Sequence, residues 1–157
     1  MTKMTVRTLM LAALCWGWIP AVAAPPTLYE RLGGPDGVRV IADRLIDRVA
    51  ADPVHGVSFK EANLKRIKRL LAEQICQLAG GPCRYSGSPM KESHAGLHVT
   101  QADFYDMVAK LRVILAEQHV GPRATNELLR LLAPMKREVI DPAPAARPLL
   151  PAAQGVR

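Results

Sequence analysis

Tyr85-Ser86-Gly87-Ser88-Pro89-Met90-Lys91-Glu92-Ser93-His94-Ala95-Gly96 is the most informative segment of this chain. It sets one imidazole, His94, on a short helix just after a glycine-bounded turn. Ser88 stands where an N-cap belongs, with Pro89 in the first helical position, where a missing N–H costs nothing. Gly96 is expected to close the helix. A neutral imidazole is a good metal ligand. By itself the stretch reads more readily as a surface histidine on a short turn, and its neighbours reverse that reading.

Working outward, helix signals are strong and strand signals almost absent. Thr27 and Glu30 have capping-box spacing for a very short helix stopped by Gly33-Gly34. Val38, Ile41, Leu45 and Val49 give the next helix an apolar face, and Asp52-Pro53 ends it. A loop with His55, Gly56 and Phe59 follows. The third helix is predicted from about Asn63 to Ala79, with Leu64, Ile67, Leu71, Ile75 and Leu78 as one buried stripe. Lys65, Arg66, Lys68 and Arg69 take its other side, and Gly80-Gly81-Pro82 stops it. Downstream of His94, Thr100 and Asp103 form a second capping box. The helix they open buries Phe104, Met107, Val108, Leu111 and Leu115. Val120-Gly121-Pro122 ends it. The last helix buries Leu128, Leu132, Met135 and Val139, and Pro134 is expected to bend it. From Asp141 onward Pro and Ala dominate without periodicity, so residues 141–157 are read as an extended, disordered tail.

The first 23 residues have the layout of a secretory signal peptide: Lys3 and Arg7, an apolar run from Thr8 to Ile19, then Ala21-Val22-Ala23 before the cleavage point. The run is short for a transmembrane helix; membrane association is expected only if the signal stays uncleaved. Cleavage after Ala23 removes Lys3, Arg7, Cys15 and both tryptophans. It lowers the net charge from +7 to +5 and leaves residues 24–140 as one domain with one core. The expected location is periplasmic or otherwise exported. Cys76 and Cys83 remain. An oxidising compartment permits a bridge between them, and packing of two free thiols is the other reading. Their spacing does not suit zinc. Cationic residues on the third helix lack interleaved aromatics, and export disfavours a nucleic-acid partner.

Together, Leu28-Tyr29-Glu30-Arg31-Leu32-Gly33-Gly34, Gly80-Gly81-Pro82-Cys83 and the stretch around His94 resemble the truncated haemoglobins, group one, in order and spacing from Thr27 to about Ile140. The resemblance implies an all-α, two-over-two helical sandwich, a shortened globin holding haem b (iron protoporphyrin IX). It makes His94, in Pro-Met-Lys-x-x-His, the proximal iron ligand. A hydrogen bond from the other ring nitrogen to a carbonyl is expected. Phe59 matches the phenylalanine that lies on the haem, and Tyr85 a tyrosine near a propionate. Ile67, Leu71, Met90, Leu97, Val99, Phe104 and Val108 are the remaining candidate walls. Lys68, Arg66 or Lys91 are candidates for propionate pairing. Only Tyr29, Phe59, Tyr85, Phe104 and Tyr105 supply aromatic bulk after cleavage, so a bulky apolar cofactor would complete the core. His98 belongs to a loop on the His94 side, and His119 sits near a helix C-terminus, where positive charge is favoured.

The chain departs from the family opposite His94. Where many members place a tyrosine on the second helix and glutamines on the third, this sequence has Ile46, Ile67 and Leu71, with Leu70 beside them. None can donate a hydrogen bond. The implied activity is reversible binding of a diatomic gas (oxygen, nitric oxide or carbon monoxide) with weak retention of oxygen. The alternatives are nitric oxide dioxygenation and an exported haem redox protein served by a periplasmic electron donor. The first needs stable oxygenated haem and is disfavoured by the apolar side chains.

Overall fold

The computed structural model describes residues 24–53 and 56–140. The signal segment, the Pro/Ala tail and His55 lie outside the described residues. The helices are α1 Leu28–Arg31, α2 Gly34–Ala50, α3 Leu64–Leu78, α4 Met90–Ser93, α5 Gln101–Glu117, α6 Pro122–Leu132 and α7 Lys136–Val139. A 3-10 turn, Gly56–Phe59, lies between α2 and α3, and another, Ala133–Met135, between α6 and α7. There is no strand among the described residues.

Local chemistry sets most of the ends. Thr27 and Glu30 form a complete capping box, with the Thr27 N–H donating to Glu30 Oε2 at 2.7 Å and the Glu30 N–H to Thr27 Oγ1 at 3.2 Å. Thr100 and Asp103 do the same for α5, so the shorter carboxylate still reaches the cap. Asn63 caps α3 by accepting from the Arg66 N–H at 3.0 Å. Proline stands at the start of both α2 and α6. Pro134 does more than bend the last helix. Lacking an N–H for the helical ladder, it coincides with a 3-10 turn that divides α6 from α7.

Two layers result. α2 packs along α3, α5 meets α6, and the layers join where α2 crosses α5 and α3 meets α6. This is the two-over-two sandwich. Its core gathers Val38, Ile41 and Leu45 of α2, Ile75 and Cys76 of α3, Leu111, Ile114 and Leu115 of α5, and Leu128 of α6. α3 and α5 hardly touch each other. Accordingly the expected α3 stripe is covered unevenly: Ile75 is wholly buried, while Leu64, Ile67, Leu71 and Leu78 are only half-buried. Val108 and Met107 of α5 are half-buried too. Lys110 fastens the α2 end to α5, donating to Asp52 Oδ2 at 2.9 Å and to Asp106. The Asp106 hydrogen bond raises the lysine pKa, against burial and with help from Asp52.

Cys76 and Cys83 form a disulfide, Cα atoms 5.7 Å apart, across the Gly80-Gly81-Pro82 turn. Gly81 is required there, because a Cβ would lie 2.6 Å from Cys76 Sγ and 2.7 Å from the Tyr29 ring. Closing so short a loop restricts the unfolded chain by about 2–3 kcal/mol. The double variant Cys76→Ala/Cys83→Ala is therefore expected to lose about that much stability in urea unfolding. Equal midpoints for it and the oxidised wild type would show that the bridge contributes nothing.

Candidate functional site

The segment from Ala79 to Pro89 hangs from α3 by polar contacts that repeat along its length. The Tyr85 N–H donates to Gln77 Oε1 at 2.6 Å. Ser86 gives Glu73 Oε2 both its N–H, at 3.0 Å, and its hydroxyl, at 2.7 Å. Arg69 pairs with Glu73 and donates to Ser86 Oγ at 3.1 Å. The Ser86 hydroxyl, its N–H and Arg69 hold the Glu73 carboxyl below its ordinary range, against the opposing effect of burial. With the disulfide, these contacts deliver α4 to one place relative to α3.

α4 begins one residue later than the sequence pattern suggests. Its N-cap is Pro89, and Ser88 makes no side-chain cap. The Ser88 carbonyl instead accepts from Tyr85 Oη at 3.0 Å and Ser93 Oγ at 3.1 Å. His94 is correspondingly the C-cap rather than a residue within the helix. Gly96 follows at φ +75°, a conformation open to glycine without strain.

The half-buried His94 ring is held by one bond. Nδ1 lies 2.9 Å from the Met90 carbonyl oxygen, which also accepts the His94 backbone N–H at 3.1 Å. A carbonyl can only accept, so Nδ1 carries the proton of the neutral ring. Nε2 then keeps its lone pair and has no partner among the described residues. That is the state of an imidazole ready to bind a metal.

Gln74 is the residue that the sequence reading missed. With Thr125 it is one of two polar side chains buried among the described residues, at 9% exposure. Its amide nitrogen lies 3.2 Å from both Met90 Sδ and Met135 Sδ. The available signal was an amide three residues beyond Leu71, on the apolar side of α3.

The other candidates are distributed as follows. Ile67 and Leu71 lie one turn apart on α3, half-buried. Phe59 ends the first 3-10 turn, half-buried. Tyr85, Met90 and Val99 are half-buried; Leu97 is 44% exposed and joined to His94 only by its N–H to the His94 carbonyl, 3.2 Å. Phe104 is buried in the first turn of α5, edge-on to Tyr105, over which Lys136 sits at 4.3 Å. Ile46 is buried, and neither it, Ile67, Leu70 nor Leu71 offers a donor. Lys68 is paired with Asp47 at 2.6 Å, while Arg66 and Lys91 are exposed. His98 and His119 are exposed in left-handed backbone, φ 51° and 57°. A groove of about 560 Å³ opens elsewhere, between α2 and α3, lined by Tyr29, Val38, Ala72 and both bridged cysteines but not by His94 or Met90.

Comparison with known proteins agrees with this architecture. The bacterial-like globin family model matches residues 27–141. A group 1 truncated hemoglobin of Mycolicibacterium paratuberculosis is 31% identical over 74% of this chain and 86% of its own length. That of Nostoc commune is 28% identical over 73% and 98%. Among solved structures, truncated hemoglobin from Tetrahymena pyriformis in its Fe(III) form superposes with a TM-score of 0.70 at 24% identity, over 74% of this chain and all of that one. The 2/2 hemoglobin of a Synechococcus species, solved in the cyanomet state with covalently attached heme, gives 0.67 at 21%, over 73% and 98%. The chain belongs to the bacterial-like globins, among the group 1 truncated hemoglobins.

A carboxyl with a lowered pKa stabilises the fold above the unfolded value, about 4.3, and loses that contribution as pH falls through the lower folded one. Wild type is therefore expected to lose more stability than Glu73→Gln between pH 5 and the acid limit, about 1 kcal/mol at most. Parallel urea-unfolding curves at pH 6 and pH 3 check this, and equal losses would remove Glu73 as a holder of the segment.

Proposed function

We propose that this chain binds haem b through His94 Nε2 and holds a diatomic gas on the opposite face. The observation that carries the reading is the 2.9 Å approach of His94 Nδ1 to the Met90 carbonyl, which in the neutral ring accepts the Nδ1–H and leaves Nε2 open. The half-buried apolar side chains on α3 and α5, two helices that hardly touch, suit a flat apolar group between them. The named relatives are hemoglobins, one of them with attached heme.

When bound, haem iron supplies the electron density that attracts oxygen, nitric oxide or carbon monoxide. The chain's own residues do the rest. His94 grips from one side, and the bond to Met90 makes its ring more electron-rich. Phe59, Ile67, Leu71, Met90, Leu97, Val99, Phe104 and Val108 would exclude water from the bound group, and Tyr85 would serve its carboxylates. Arg66 and Lys91 are free for propionates, whereas Lys68 would have to leave Asp47.

On the gas side the chain supplies hydrocarbon. Ile46, Ile67 and Leu71 cannot donate to a ligand that gathers negative charge, and a missing hydrogen bond is worth about 1–3 kcal/mol. Carbon monoxide and nitric oxide depend less on a donor than oxygen does. This favours gas binding with short oxygen residence over dioxygenation of nitric oxide.

Export is part of the same proposal. Residues 1–23 have signal-peptide layout, and the Cys76–Cys83 bridge suits an oxidising compartment. Secreted protein is expected to begin at Ala24, which N-terminal mass spectrometry reads directly.

Purified wild type titrated with hemin should develop a Soret band and, once reduced under carbon monoxide, an imidazole-ligated spectrum. His94→Ala should lose that spectrum and regain it on added imidazole; an unchanged variant spectrum would remove His94 as the ligand. Stopped-flow displacement should show fast oxygen release, slowed by about five- to a hundredfold in a variant that gains a donor, Leu71→Gln. Slow release from wild type would mean that a donor reaches the gas from elsewhere.

A further inference from the structure

We propose that Gln74 is a positioning residue for His94: an amide reaching from α3 that fixes Met90, whose carbonyl in turn orients the imidazole. The inference rests on the haem reading above. Its structural basis is a continuous chain of contacts. Gln74 Nε2 meets Met90 Sδ at 3.2 Å, and the Met90 carbonyl holds His94 Nδ1 at 2.9 Å.

Three observations give the amide this role. First, its burial is costly for stability alone. Thioether sulfur is a weak acceptor, and both contacts of the Gln74 amide nitrogen are to thioethers. A leucine of similar size would fill the position on an otherwise apolar helix face without that cost. Second, the partner needs fixing. Methionine has three rotatable bonds and adapts to whatever surrounds it, so packing alone restrains it weakly. The amide holds it from α3, and the Met135 sulfur holds the amide from the turn before α7. Third, the element that carries the imidazole cannot hold itself. α4 has four residues, far below the length at which a helix is stable alone. It packs on α7, and the Gln74–Met90 contact ties it to α3.

Removing the amide frees the Met90 side chain and lets α4 shift. The turn that carries both the carbonyl and the imidazole then loses its fixed place relative to α3, and the bond between them fluctuates more. Outer-shell partners of a metal-bound histidine typically change metal affinity by about 10–100-fold.

The test uses the full chain loaded with hemin. Gln74→Leu should transfer hemin to apomyoglobin about tenfold faster than wild type. In the ferrous protein its iron–histidine stretching band should move to lower frequency and broaden. The haem-free variant should unfold at the same urea midpoint as wild type or a higher one, because an apolar side chain replaces a poorly satisfied amide. Met90→Leu removes the sulfur but keeps the carbonyl and should shift the same band. The double variant should lose hemin no faster than the worse single one, since both remove one link. Wild-type band and hemin loss in Gln74→Leu, or additive losses in the double variant, would overturn the inference while leaving haem binding intact. Wild type that takes up no hemin would overturn the haem reading and this inference with it.

Discussion

The hydrogen bond between His94 Nδ1 and the Met90 carbonyl gives the molecule its chemical direction. An unrestrained imidazole exchanges its proton between two nitrogens and rotates about its side-chain bonds. A carbonyl acceptor on one nitrogen removes the first freedom and most of the second. Much of the surrounding structure keeps that carbonyl still. The Ala79–Pro89 segment is bridged to α3 by a disulfide and laced to Glu73, Gln77 and Arg69. α4 rests on α7, and Gln74 holds Met90 from across the layer.

This arrangement explains why the molecule keeps so many partly covered apolar side chains. α2 is the centre of the packing, and its inward face meets α3 on one side and α5 on the other. On α3 Ile75 is wholly buried in the core, whereas Ile67 and Leu71, like Val108 on α5, are only half-covered. Under the proposed function that uncovered hydrocarbon is finished by the porphyrin, and the protein's core includes its cofactor. The disulfide stiffens the connection between α3 and the segment that leads to His94, and the proposed export would give it an oxidising compartment in which to form.

Under the proposed function the two faces of the haem would differ in kind. His94 is held by a directional hydrogen bond to the Met90 carbonyl. Ile46, Ile67, Leu70 and Leu71, which the proposal sets on the gas side, can contribute shape only. Such a site would discriminate weakly among small neutral ligands and favour those that need no donor.

The helices and their ends were legible in the sequence because the interactions that make them act within four residues. Thr27 with Glu30, Thr100 with Asp103, Asn63, and the prolines at positions 35 and 122 each work on a neighbouring turn. His94 was legible as the candidate ligand from its motif, yet its place as a cap rather than a helical residue depended on the backbone at Pro89. The bridge between Cys76 and Cys83 stayed open until the Gly80-Gly81-Pro82 turn brought the two together. The stripe on α3 named the right residues, but which were covered depended on where α5 came to lie. Gln74 showed in the sequence only as an amide on an apolar helix face, which acquires meaning when residues 16 and 61 positions away arrive beside it. Neighbouring residues were enough to set the local hydrogen bonds and the apolar periodicity. Which distant groups share a space followed only from the packing of the helices, because chain separation carries no information about proximity once they have packed.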